Sequence, residues 1–381
     1  MAFEFTPDQR AAIENRGGSL LVSAAAGSGK TRVLTERLVR YVTDPADPVD
    51  IDRFLVITYT RAAAAELRGR IMEALARAAA ERPDDLRLRR QQTLCLSAHI
   101  GTIHAFCADV LRENCHHLGL SPAFTVLGED RAETIRRGVL ARVLDRRYAR
   151  IESDDGFRLL ADTVGAGRDD KRLESAVLEL YDKLRSHPDP EKWAADQRAA
   201  LHLEGVGDAG ESVWGRELLR AAEAEAGFWC ESFEAALAEI EADEKLKKAY
   251  GPAFAEDAEA LRELRRALLL GWDRAREAFA ALPFPRLGAL RAYPEPDRPA
   301  RLKALRDRCK KAMASLADRL GAPSAALLRD QRAAAPAMEA LLDLTLEFDR
   351  AFSAEKRRRS AVDFSDLEHY AARLLTDRET G

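Results

Sequence analysis

The first 130 residues alternate short apolar runs with helical patterns of apolar positions. A run at 19–23 precedes a loop of small residues, after which Leu34, Leu38 and Val42 recur at four-residue spacing. That spacing places an apolar stripe along one face of a helix, and the run before the loop has the length of a strand. The order predicts a buried strand, a loop, and a helix that packs on a sheet.

Two more pairs of strand and helix are predicted further along the chain. Residues 54–58 form a continuous apolar run, typical of a strand covered on both faces, and a helix is expected over 61–80. A third strand is expected at 98–101, with a helix beginning near Thr102. The stripe of the first of these helices comprises Leu67, Ile71 and Leu75. The stripe of the second comprises Ile103, Phe106, Cys107, Val110 and Leu111.

The pattern becomes helical from about residue 121 to about residue 360, and no strand pattern stands out there. A helix capped by Asp363 then runs to about Leu375. The chain therefore combines an α/β part with a large all-helical segment. The clearest helical stretches in that segment are 134–148, 211–250, 252–282 and 324–352, with a proline-rich break at 282–299.

The loop after the first strand has the chemistry of a phosphate-binding loop. Gly27 and Gly29 let the backbone curl so that N–H groups point at phosphate oxygens, and the helix N-terminus adds partial positive charge. Lys30 can contact the β- and γ-phosphates, and the Thr31 hydroxyl can ligate Mg²⁺. The strict pattern has glycine where this chain has Ala24, and an accidental small-residue turn is the alternative. The predicted ATP-binding residues here are Ala26, Gly27, Ser28, Gly29, Lys30 and Thr31.

Gln9 has two interpretations. Thr6, Pro7 and Gln9 satisfy the capping-box template for the start of a helix, which explains Gln9 structurally. A glutamine about twenty residues before a phosphate loop can also offer its amide donor and acceptor to the adenine edge. The sequence alone leaves both open.

Two short segments follow the second and third predicted strands, where open α/β sheets bind ligands. Tyr59, Thr60 and Arg61 end the second strand, and an exposed Tyr59 would stack on a base, whereas a ring packed under the next helix is the alternative. His104 lies off the apolar stripe at a helix N-terminus, next to Thr102, where it can face a phosphate or a base.

Composition limits the classes of function that are possible but indicates no specific function. The 381 residues carry a formal net charge of −4, so contact with nucleic acid would need local basic patches. Five cysteines without a C-x-x-C pair indicate a reducing compartment, and no apolar run approaches the roughly 18 residues of a membrane span. We expect a soluble, cytoplasmic protein. Cys107, Cys115, His116 and His117 match no zinc spacing, which favours core cysteines beside surface histidines.

Four segments resemble, in order and spacing, the first four motifs of UvrD/Rep-type superfamily 1 DNA helicases. They are Thr6–Gln9, Ala26–Thr31, Ile57–Ile71 and Gly101–Phe106. Within that family the chain looks most like the AddA component of AddAB-type helicase-nucleases, with RecB close behind. The match is firm over roughly residues 4–130 and faint beyond.

The resemblance implies a fold and a set of contacts. The fold is α/β, a RecA-like P-loop motor domain with an incomplete parallel sheet and a large all-helical insertion. The expected domains are 1–125, the first part of the motor; 126–355, the inserted subdomain; and 356–381, a returning helix. ATP–Mg²⁺ would bind at Gln9 and Gly27–Thr31, and single-stranded DNA along Tyr59, Thr60, Arg61, Thr102 and His104. Tyr59 replaces the usual phenylalanine, and Arg61 replaces a common asparagine.

The implied function is that of an ATP-dependent helicase motor acting on DNA ends in double-strand-break repair, with an AddB-type partner. A binding module without turnover, or another P-loop NTPase, is the alternative. Asp363 and Asp366 follow a basic approach rather than an apolar run, so neither is expected to be the acid that holds Mg²⁺. We expect that acidic pair in the continuing reading frame, and no turnover from residues 1–381.

Two basic runs are the remaining candidates for charge contacts. Residues 301–311 and 356–359 are rich in lysine and arginine. Either run could touch phosphates, although a solvated helix face is the more common role for such a run.

Overall fold

The computed structural model describes residues 4–165, 170–291 and 293–376. The chain divides into two compact units. The first unit comprises Met1–Arg136 with Ser353–Gly381, and the second comprises Arg137–Phe352. The last five residues of the predicted 356–381 segment lie outside the described residues.

Helices dominate both units, and the strands are short. In chain order the elements are α1 (Pro7–Glu14), α2 (Lys30–Thr43), β1 (Leu55–Ile57), α3 (Arg61–Glu81), α4 (Leu86–Ser97), β2 (His99–Gly101), α5 (Ile103–Glu113), α6 (Cys115–Leu118), β3 (Thr125–Val126), α7 (Glu129–Tyr148), α8 (Asp155–Val164), α9 (Lys171–Arg185), α10 (Pro190–Leu201), α11 (Val213–Glu241), α12 (Glu244–Leu270), α13 (Trp272–Ala280), α14 (Asp297–Arg319), α15 (Ser324–Arg358), β4 (Ala361–Val362) and α16 (Phe364–Leu375). None of the described helices is long and apolar enough to cross a membrane.

The main core of the first unit lies between the β1–β2 sheet and helices α2, α3 and α4. β1 pairs with β2 in parallel, as the βα order requires, because parallel strands need a crossover connection. The predicted stripe Leu67, Ile71 and Leu75 is buried, as are Leu38 and Val42. Leu34 is 39% exposed, so the stripe prediction was wrong at this position, which Val33 fills instead.

The predicted strand at 19–23 does not form. The segment has no regular secondary structure, and Leu21 is 93% exposed. A buried strand needs neighbours whose N–H and C=O groups complete its ladder, and nothing in the described part of the chain pairs with this segment. The loop that follows is therefore held by its own turn and by contacts from α1 and α2 rather than by a strand.

A second core in the first unit joins α5 to α16. Cys107, Ala108 and Leu111 of α5 are buried with Leu367 and Ala371 of α16. The predicted α5 stripe was partly wrong, because the helix turns Ala108 inward and leaves other members of the stripe half-buried or exposed. Ile103, at 40% exposure, is the most exposed of them.

Next to this core, β3 and β4 form a two-stranded parallel sheet that the sequence pattern did not predict. Thr125 is opposite Ala361 and Val126 is opposite Val362. Each strand has two residues, too short to produce a periodic signal. The pair fixes the start of α16 against the segment that follows α6.

Over its described residues the second unit contains helices joined by loops and no strand, as predicted for this segment. The expected stretch 211–250 is two helices, because Asp243 accepts hydrogen bonds from the N–H groups of Lys245 and Leu246 and so starts α12. The expected boundary at Pro252 was wrong, because Pro252 lies inside α12. All four tryptophans of the chain belong to this unit, and Trp229 and Trp272 are buried in its core.

Candidate nucleotide and nucleic-acid sites

The loop at 24–29, called the glycine loop here, has the left-handed backbone at its two glycines that the sequence predicts. Gly27 has φ of +79° and Gly29 has φ of +85°, in the left-handed region that residues with a Cβ rarely enter. Gly29 caps α2 without any side-chain hydrogen bond among the described residues. The first turn of α2 contains Lys30, Thr31 and Arg32 and no acid. The backbone N–H groups of the first turn of α2 therefore have no side-chain cap and no acidic neighbour in that turn.

Lys30 is folded back over this loop. Its Nζ donates to the carbonyl oxygens of Ala24 and Ala25 at 2.7 and 2.8 Å. These neutral acceptors hold the ammonium at the mouth of the loop without neutralising it. A triphosphate would offer stronger, charged acceptors to the same ammonium. The donors, the cation and the exposed Thr31 hydroxyl fit an ATP–Mg²⁺ group in chemical type.

Gln9 makes the predicted capping box and also reaches the loop. Its Oε1 accepts from the Thr6 N–H at 3.0 Å, while the Thr6 hydroxyl accepts from the Gln9 N–H. Its Nε2 donates to the Ser28 carbonyl at 3.0 Å. The structure thus brings Gln9 to the glycine loop, and its contact with adenine stays a prediction.

Tyr59 projects fully into solvent, with a relative exposure of 102%. This exposure excludes the alternative in which the ring packs under α3. The neighbouring Thr60 is the N-cap of α3, because its hydroxyl accepts a hydrogen bond from the Ala63 N–H at 3.1 Å. Arg61, the first residue of α3, is exposed beside them.

Strand pairing brings the two predicted DNA segments side by side. Ile57 is opposite Gly101 in the β1–β2 ladder, and the Thr58 N–H donates to the Gly101 carbonyl at 2.9 Å. The chain leaves both strands at the same edge, towards Tyr59 on one side and Thr102 on the other. The Thr102 hydroxyl caps α5 by accepting from the Ala105 N–H at 3.2 Å.

His104 has partners on two sides. Its Nε2 lies 3.1 Å from Glu368 Oε1, and its ring lies 4.7 Å, centroid to centroid, from that of Phe364. Both partners belong to α16, far away in sequence, so nothing near His104 in the chain could have indicated them. The side chain remains about one-third exposed.

Arg68 is a residue whose importance the sequence did not indicate. Its guanidinium donates to four backbone carbonyl oxygens in the segment from α4 to β2, at distances from 2.5 to 3.2 Å. One α3 side chain thereby satisfies the backbone that leads into Thr102 and His104. The acceptors are Cys95, Leu96, Ala98 and Ile100.

The basic run at 356–359 is mostly engaged within the protein. Lys356 is 1% exposed, and its ammonium lies 2.7 Å from carboxylate oxygens of both Asp363 and Asp366. Arg358 and Arg359 both bind Glu355, and their hydrogen bonds lower the pKa of Glu355 to about 2. Lys356 is therefore not available to a phosphate, whereas Arg358 and Arg359 remain exposed at the surface, so their contact with phosphates stays a prediction.

The run at 301–311 is also partly engaged. Arg301 binds Glu239, and Arg306 forms an ion pair with Asp257, whose side chain is fully buried. Burial of Asp257 is the main reason that its pKa is raised, and Arg306 opposes that shift. Arg306 is therefore engaged inside the helical unit, whereas Arg301 is mostly exposed and its contact with phosphates stays a prediction.

Comparison with known proteins gives one consistent result. A family profile described as the UvrD/REP helicase N-terminal domain matches residues 5–380. The AddA component of the ATP-dependent helicase/nuclease of Acetivibrio thermocellus is 35% identical over 381 residues, and that of Geobacillus thermodenitrificans is 38% identical over 382 residues. Each alignment covers 99% of this chain and 30% of the relative. The chain therefore spans about 30% of the length of these curated relatives.

Proposed function

Because the chain belongs to the UvrD/REP helicase N-terminal domain family, we propose that it is the N-terminal motor module of an ATP-dependent DNA helicase. The fold that we propose is a RecA-like P-loop motor with residues 126–355 as its inserted helical subdomain. The single observation that supports nucleotide binding best is the left-handed pair Gly27 and Gly29 at a helix N-terminus that has no side-chain cap.

In this proposal ATP binds at Gln9 and along 26–31. The backbone N–H groups and Lys30 contact its phosphates, and Thr31 ligates Mg²⁺. When bound, ATP supplies the phosphoryl group whose transfer to water drives movement. The residues seen here would orient the triphosphate and balance its charge. Asp363 and Asp366 are engaged with Lys356, so we assign neither of them to hydrolysis.

We propose that single-stranded DNA runs along the edge where β1 and β2 end. Tyr59 would stack on a base, because an exposed aromatic ring at this edge has no packing role. Thr60, Arg61, Thr102 and His104 would contact the backbone beside it.

The proposed protein partner is inferred from the name of the relatives. Their shared name designates one component of an ATP-dependent helicase/nuclease, which implies a second component in those proteins. We propose that this chain likewise acts with an AddB-type partner on DNA ends in the cytoplasm, in double-strand-break repair.

Calorimetry of an ATP analogue tests the nucleotide site. Lys30→Ala should remove most of the affinity, because it deletes a charge-assisted contact to phosphate. The matched control is Arg40→Ala, which removes the same charge near the other end of α2, where Arg40 pairs with Glu14. Equal affinity of the parent and Lys30→Ala would overturn the assignment, and so would an equal loss in both variants.

A further inference from the structure

The position of His104 is defined by α16 rather than by its own helix. Glu368 lies at hydrogen-bond distance from Nε2, and Phe364 lies against the ring. One partner fixes the direction in which the ring points, and the other limits its rotation. The second ring nitrogen, Nδ1, has no hydrogen-bond partner among the described residues, and the side chain is about one-third exposed.

α16 is a firm support for this contact. Asp363 and Asp366 close a reciprocal capping box at its first turn, and the buried Lys356 binds both carboxylates. One turn further, Leu367 and Ala371 are buried against α5 in the shared core. Glu368 therefore extends from a helix that is held at its N-terminus and along one face.

Hydrogen bonding at one imidazole nitrogen decides what the other can do. A carboxylate on Nε2 favours a proton there and leaves Nδ1 as an acceptor in the neutral ring. If the ring is protonated, both nitrogens donate. In both states Nδ1 keeps a fixed direction, which reduces the conformational entropy lost when a ligand binds.

We propose that Glu368 is a positioning residue for single-stranded DNA, acting through His104. This inference rests on the proposed function, since it assumes that His104 contacts the DNA. Glu368 itself does not touch the strand. Its carboxylate orients the imidazole towards a phosphate or base edge at the carboxyl end of β2.

A double-mutant cycle on oligo-dT affinity tests this proposal. In the parent background, Glu368→Ala should weaken binding roughly 2- to 10-fold, the usual range for one oriented hydrogen bond. In the His104→Ala background the same substitution should have no effect, because the residue through which it acts is gone. Glu368→Gln keeps an acceptor oxygen without the charge and should retain most of the affinity.

The control for net charge is Asp109→Ala on α5, where Asp109 pairs with Arg112 in an exposed contact at 3.1 Å. It removes one negative charge and should leave oligo-dT affinity unchanged. A loss from Glu368→Ala of equal size in both backgrounds would overturn the proposal, as would no loss or a gain in the parent. An ineffective His104→Ala would also overturn it. Failure of the proposed function would appear separately, as unchanged affinity in Tyr59→Ala.

Discussion

Tyr59 is the residue on which the proposed DNA contact depends most directly. Its ring is fully exposed, so its removal costs the fold almost no buried apolar surface. Tyr59→Ala should weaken oligo-dT binding by about 1–3 kcal/mol, the usual value of one stack of a base on an aromatic ring. Titrations at two salt concentrations would show whether the phosphate contacts persist.

Tyr59→Phe is the matched variant, because it keeps the ring and removes only the hydroxyl. We expect it to bind oligo-dT almost as well as the parent, and we expect both variants to keep the parent melting temperature. A lower melting temperature with unchanged DNA affinity in Tyr59→Ala would contradict the proposed role.

Single residues at element starts were predictable, whereas their distant partners were not. Thr6 and Asp363 cap helices as their local sequences indicate, because a capping interaction reaches only three residues along the chain. The contacts of Gln9 with Ser28 and of His104 with Glu368 span 19 and 264 residues. A single sequence contains no periodic signal for such pairs.

At the scale of elements, α3 offers a direct test through two arginines that lie two residues apart and so on different faces of the helix. Arg68→Ala leaves four backbone carbonyls without their charged donor and should lower the free energy of unfolding by about 2–4 kcal/mol. Arg70→Ala removes an exposed pair with Glu66 and should cost about 0.3–0.5 kcal/mol. Urea denaturation of the two variants would measure the difference. Equal losses would contradict the role given to Arg68.

Strands were harder to predict than helices for a physical reason. The helix over 61–80 was predictable because its stripe depends on local spacing, and it is observed as Arg61–Glu81. The apolar run at 19–23 suggested a strand, yet a strand exists only when another segment pairs with it. β3 and β4 show the converse, since four residues with little pattern become a sheet through pairing.

For the whole molecule, the cysteines provide a test of packing in both units. All five are free thiols, and four of them, Cys95, Cys107, Cys230 and Cys309, are buried. Burial raises the pKa of each of these four, to about 12 for Cys309, so their thiolate fraction at neutral pH is small. Cys115 is partly exposed. A thiol reagent should therefore modify Cys115 first in the native protein and all five thiols after unfolding.

Counting the modified thiols against time would check this expectation, and mass spectrometry would identify the first site. The Cys115→Ser variant is the natural control and should lose the fast phase. Rapid reaction of Cys309 in the native protein would mean that the core of the helical unit opens easily.

The placement of the tryptophans allows their fluorescence to be assigned to one of the two units. All four lie within Arg137–Phe352, whereas the proposed nucleotide and DNA residues lie within Met1–Arg136. Tryptophan emission, excited selectively, therefore reports on the helical unit alone and needs no attached label. The seven tyrosines are spread over both units, so tyrosine emission lacks this selectivity. Any change in tryptophan emission when ATP or DNA is added is therefore a change in the surroundings of the helical unit.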